Sequence, residues 1–230
     1  MRRLYKIIAI IIFGVIFTFL IYYFTVNNNE SVIALGDSIA SGETAYNVDG
    51  LSYNDYLKEN LFEHHKLSYY NNNFAKKNYK LSEMINDIKK NKKDEKYIKQ
   101  LLHNATIITL AIGMDEIAKY SITDKITNDY IKNYISEYDD LVYMLREYNK
   151  EKIVLIGLYK ANNIKDSELI LLNTGIKNIA DKYDAIFLEI SELLKDKSYY
   201  LKENSFYFNY KAHHEIYEML NCTIFTCQTD

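Results

Sequence analysis

The chain has 230 residues, with 28 Lys and Arg against 31 Asp and Glu, a net charge of −3 at pH 7, and neither proline nor tryptophan. That balance leaves no basic stripe, which argues against nucleic acid as a partner. About 200 residues remain beyond the apolar N-terminus, enough for one domain with a substantial core.

The elements follow in chain order. Arg2, Arg3 and Lys6 precede a run without charge from Ile7 to Asn29, whose apolar core, Ile7 to Phe24, is eighteen residues long. This is the short end of what spans a bilayer, and the basic residues before it keep the N-terminus in the cytoplasm. The reading is a cytoplasmic tail at 1–6, a transmembrane signal anchor at 7–26 and an extracytoplasmic domain at 27–230. The membrane is then a partner through the N-terminal helix. A cleavable signal peptide is the rival, although Tyr22 to Val26 offers no small-x-small cleavage site.

Beyond the anchor, apolar strand-like runs alternate with helical stripes. Val32–Gly36 reads as a strand, and Ser52–Phe62 as a helix with Tyr53, Tyr56, Leu57 and Leu61 on one side. Leu67–Phe74 is a weaker strand. Leu81, Met84, Ile85 and Ile88 form a second helical stripe, and Tyr97, Leu101 and Leu102 continue one beyond the lysines at 89–93. Thr106–Ile112 is a buried strand ending at Gly113. A long helix over Asn128–Tyr148 precedes a strand over Lys152–Tyr159, a helix over Ser167–Tyr183, a strand over Ala185–Ile190 and a last helix over Lys211–Asn221. Continuous apolar strands are what parallel strands covered on both faces require. Strict alternation with helices implies a three-layer, doubly wound α/β fold with a mainly parallel sheet. With no proline, turns fall to Gly, Asn and Asp, and the Asn runs at 27–29 and 71–73 are expected to serve there.

Chemistry concentrates where the first strand stops. In Ala34-Leu35-Gly36-Asp37-Ser38-Ile39-Ala40-Ser41-Gly42 a serine hydroxyl stands at the carboxyl end of the sheet, where open α/β sheets place ligand sites and free backbone N–H groups can hold an oxyanion. The competing role for Ser38 is a helix N-cap. This block resembles the SGNH hydrolases, the GDSL-type esterases and lipases of flavodoxin-like fold, and places Ser38 at the family's nucleophile position. The resemblance covers nearly everything after the anchor. It sets Asn78, in Asn73-Phe74-Ala75-Lys76-Lys77-Asn78, where the family has an oxyanion-hole glycine. Asp115, in Ile112-Gly113-Met114-Asp115-Glu116, takes the place of an oxyanion-donating asparagine. A carboxylate only accepts hydrogen bonds, so Asp115 must be protonated or turned away for the hole to work. In the last block Asn204 replaces the catalytic acid and Tyr207 the catalytic histidine, while Asn209 and His213 keep register.

No Asp-x-x-His occurs anywhere in the chain, which leaves His213 or His214 as a lone base from the last helix. His64 and His65 read as a solvated loop pair. Cys222 and Cys227 are either a short-loop disulfide or two free thiols. Their spacing is wrong for zinc, and neither a metal nor another cofactor is implied. Two functions follow. One is a membrane-tethered, extracytoplasmic serine esterase or acyl hydrolase acting on a small ester, such as an envelope-glycan acetyl or a lipid ester. The other is a catalytically silent SGNH-like binding or scaffold domain at the cell surface.

Overall fold

The computed structural model describes the chain except for residues 1, 27–28, 45, 47, 49, 162, 201–206 and 226–230. Helix α1 (Arg2–Val26) comes first, with its side chains described only at 5–6 and 10–20, where apolar groups such as Phe13 and Phe17 are exposed. Among the described residues no helix is long and apolar enough to cross a membrane.

A five-stranded parallel sheet follows, made by β1 (Glu30–Gly36), β2 (Leu67–Ala75), β5 (Ile107–Ala111), β6 (Lys152–Ile156) and β7 (Ile186–Leu188). Two-residue strands β3 (Lys93–Asp94) and β4 (Lys96–Tyr97) form a separate hairpin. The sheet runs β2-β1-β5-β6-β7, which in its own strands is the 2-1-3-4-5 order of flavodoxin-like folds. All five residues of β5 and six of the seven in β1 are buried, as the unbroken apolar runs required. Strand β6 is shorter than expected and stops at Ile156, because Gly157 to Lys160 leave the sheet as a loop.

Helix α3 (Tyr53–Glu63) packs on α9 (Tyr210–Phe225) over one face. The opposite face carries α4 (Leu81–Lys89), α5 (Ile98–Asn104), α7 (Asn128–Tyr148) and α8 (Asp166–Lys182). Ser52 caps α3 through a reciprocal capping box with Asp55, which satisfies two otherwise orphaned N–H groups. One short-range expectation fails. Asn71–Asn73 lies inside β2 rather than in a turn, because the Asn side chains lie along an edge strand whose backbone pairs with β1. Helix α6 (Met114–Thr123) carries Asp115 and Glu116 in its first turn, the place of a helix-start acid, and beyond that turn buries Ile117 and Ala118.

The topology places the site. Strand β1 pairs with β2 on one side and β5 on the other, so the switch in strand order, where folds of this kind place their ligand crevice, lies at the carboxyl ends of β1 and β5. There Gly36 sits between Ala75 and Ala111 at φ +142°, and a Cβ on it would lie 1.8 Å from the Ala111 carbonyl oxygen. Only glycine allows the two strand ends to approach this closely.

Candidate active site

Asp37 organises the switch point. Its Oδ2 accepts the N–H groups of Gly113 (2.9 Å) and Asp115 (3.2 Å), and its Oδ1 accepts that of Ile39 (3.3 Å). The Asp37 N–H donates to the Ala111 carbonyl at 2.8 Å. One side chain thus caps α2 (Ser38–Ser41) and ties the turn after β1 to the turn after β5. Asp37 is fully buried. Burial first, and then the charge of Asp115, push its carboxyl up to about 8, against the pull of the three backbone N–H groups.

Asp115 occupies the centre. Its Oδ2 accepts the Ser38 N–H at 3.2 Å and the Asn78 N–H at 2.7 Å, and also receives the Ser38 hydroxyl in a very short hydrogen bond. Its Oδ1 is buried without a partner among the described residues. The N–H groups of Ser38 and Asn78 are the pair expected to cradle an oxyanion. Both are present and both converge, but they converge on a carboxylate oxygen of the protein itself. Asp115 is therefore neither turned away nor acting as a donor, and Ser38, expected at an open crevice, is 0 % exposed. The backbone at Asn78 is left-handed, φ +58°, a conformation asparagine tolerates. Its side chain is held by the Lys119 amine at 2.6 Å.

Tyr207 stands over the serine from the segment that precedes α9. Its phenol lies in hydrogen-bonding reach of the Ser38 side chain, and burial together with Asp115 raises its pKa, partly offset by Lys77. A phenol of raised pKa is a donor at neutral pH and no general base. The Lys77 amine lies 5.9 Å from the Tyr207 ring centroid and pairs with Glu43 at 2.5 Å. Glu43 is itself buried. This Glu43–Lys77 bridge spans the loops after β1 and β2. Nothing in the spacing of the sequence announces it, since its partners lie 34 residues apart on separate loops.

The histidines do not join the serine. His213 is buried, with its ring 6.4 Å from that of Tyr53 and 5.7 Å from that of Phe208. Its Nδ1 has no partner among the described residues, and burial lowers its pKa to about 4. His214 faces α3, 5.1 Å from the Tyr56 ring and 3.7 Å from Glu218. The Ser38 hydroxyl donates to Asp115 instead, so the expected histidine dyad is not formed. The reason is helical: α9 turns position 213 inward onto the core aromatics and position 214 outward. Asn204 and Cys227 lie outside the described residues, and Cys222 is disulfide-bonded. Among the described residues no cluster of three or more His, Cys, Asp or Glu is arranged to hold a metal.

No protein-family model matches this sequence, and no curated protein matches it either. Solved structures do share its fold. LAE5, an α/β hydrolase from the metagenome of Lake Arreo in Spain, superimposes with a TM-score of 0.63 at 15% identity, covering 85% of this chain and 94% of its own. Axe2, an acetylxylan esterase from Geobacillus stearothermophilus, gives 0.61 at 18% identity over 85% and 94%. The psychrotrophic esterase EstA from a Pseudoalteromonas species gives 0.60 at 14% identity over 85% and 97%. Among the solved forms of Axe2 are catalytic mutants in which a serine or a histidine is replaced by alanine. The fold of this chain is the one these SGNH-type esterases adopt.

Proposed function

We propose that this chain is an SGNH-type ester-hydrolase domain held in a closed, non-hydrolytic form, serving as a binding or scaffold domain. One observation carries the reading: a single Asp115 oxygen takes the Ser38 N–H, the Asn78 N–H and the Ser38 hydroxyl together. An ester carbonyl entering the crevice finds both backbone donors engaged and a carboxylate where its own oxygen would develop charge. Loss of one oxyanion donor costs about 2.7–4 kcal/mol in the transition state, and placing a carboxylate there adds repulsion. With Tyr207 in place of a histidine, the acceptor the hydroxyl finds is Asp115, through the same oxygen that fills the cradle, so a proton acceptor and an open oxyanion site are not available together.

The test is labelling of the purified chain with a fluorophosphonate probe, beside Ser38→Ala and Asp115→Asn. The expected result is a wild type and an Asp115→Asn variant no more labelled than Ser38→Ala, with labelling through Ser38 appearing when Asp115→Asn is combined with Tyr207→His. Ser38-dependent labelling of the wild type together with short-chain ester cleavage overturns the reading.

That outcome would establish the second reading, a slow serine ester hydrolase. It is favoured by the two converging backbone N–H groups, the part of the machinery that is retained. Its substrate class would be acetylated glycans or lipid esters, the former being what acetyl-xylooligosaccharide esterase Axe2 is named for. For either reading we place the domain outside the cytoplasm on an N-terminal anchor. The support is the uncharged run from Ile7 to Asn29 behind three basic residues and its helical conformation. Recovery of the chain in the soluble fraction after cell lysis would remove the anchor from the proposal.

A further inference from the structure

A second concavity lies apart from Ser38, against α8, and shares no residue with the site above. It has a volume of about 440 Å³, within the range of small-molecule sites. One wall is a single helical stripe of α8: Asp166, Leu169, Ile170, Asn173, Thr174 and Lys177. The spacing i, i+3, i+4, i+7, i+8, i+11 runs along one face of the helix, a length of roughly 16 Å at 1.5 Å per residue. The facing wall is Phe187 from β7 with Glu189 and Ser191 beyond it. This is an elongated groove at the carboxyl end of β7, with an apolar middle.

Its charged groups are committed, with one exception among the described residues. The Lys160 amine pairs with Asp166 at 2.5 Å and that of Lys195 with Glu192 at 2.6 Å. Asn173, buried, exchanges two 2.8 Å hydrogen bonds with the backbone of Leu158. Glu189 accepts the Ser191 N–H at 2.8 Å and faces the Asn173 amide. Lys177, at the far end of the stripe, makes no hydrogen bond and has no carboxylate within ion-pair distance among the described residues. An apolar channel that ends at one uncommitted cation is complementary to a molecule with a long apolar body and one anionic end.

We propose that this groove binds an elongated amphipathic monoanion, an alkyl carboxylate, with its head at Lys177 and its chain along Leu169, Ile170 and Phe187. The site is independent of Ser38 and does not require turnover. The experiment is calorimetric titration of the full chain with decanoate below its micelle concentration, with decanol as the uncharged control. Saturable one-to-one binding is expected, weakened at least tenfold by Lys177→Glu, abolished by Thr174→Trp, which fills the groove, and unchanged by Ser38→Ala. Lys177 is exposed, so its variant tests the site even where the Trp variant fails to fold. No saturable binding, equal binding of decanol, or decanoate binding untouched by Lys177→Glu overturns the proposal.

Discussion

The turn after β1 and the segment leading into α9 both face Ser38, and they have fared differently. At the first, Gly36, Asp37 and the N–H groups of Ser38 and Asn78 hold the arrangement of an oxyanion cradle. At the second, Tyr207 stands where the SGNH pattern has a histidine, and His213 is folded into the core. Functions supplied by the backbone survive side-chain change, because any residue that keeps the local φ and ψ keeps the N–H in place. Functions supplied by a side chain vanish with a single substitution. Asp115 shows both: its backbone N–H donates to Asp37, while its side chain takes up the N–H groups of Ser38 and Asn78, which on the reading proposed above turns the cradle against substrate.

The comparison can be broken most forcefully at its backbone half. Gly36→Val should destabilise the fold by about 3 kcal/mol or more, since its Cβ meets the Ala111 carbonyl at 1.8 Å and overpacking against rigid backbone ranks with the severe mutational mechanisms. Chemical denaturation reads this directly, and a loss below about 1 kcal/mol would mean that the two strand ends can part.

Restoring the side-chain half is the next largest effect. Asp115→Asn combined with Tyr207→His should raise the rate of fluorophosphonate capture at Ser38 by about 10²–10³-fold over wild type, the worth of one regained oxyanion donor. No gain in the double variant would show that the cradle itself is misplaced.

The pH dependence of stability separates two buried groups with opposite signs. Asp37 has its folded pKa raised to about 8 from 3.8, so the stability it contributes is complete below about pH 4 and lost as pH rises towards 8. His213 has its folded pKa lowered to about 4 from 6.5, so its contribution is complete above pH 6.5 and lost as pH falls towards 4. Between pH 4 and 6.5 the two oppose each other, and from 6.5 to 8 Asp37 acts alone. His213→Phe should therefore unmask a decline in stability with rising pH from about 4 to 8, with a slope of at most about 1.4 kcal/mol per pH unit. A pH profile identical to wild type would show that His213 does not titrate in this way.

The smallest effect is at Asn78. Replacement by glycine, which adopts φ > 0 without penalty, should change stability by less than about 1 kcal/mol and leave the N–H in the cradle. A large loss would assign structural weight to the Lys119 contact with the Asn78 side chain.

The alternation of apolar runs and helical stripes was enough to specify a doubly wound parallel α/β fold, because strands covered on both faces admit few polar residues and therefore announce themselves. Gly36-Asp37-Ser38 located the crevice, and the last block put Tyr207 beside it. The orientation of Asp115 was beyond the sequence: its side chain is not turned away but points into the hole, onto the N–H groups of Ser38 and Asn78. Its direction depends on the Asp37 bridge to Gly113 and Asp115, which fixes the start of α6 relative to β1, a relation of residues 76 and 78 positions apart. The inward turn of His213 likewise depends on how α9 seats against α3. Periodicity within a segment reports which face is buried, whereas the meeting of side chains from different segments is decided only when the segments pack.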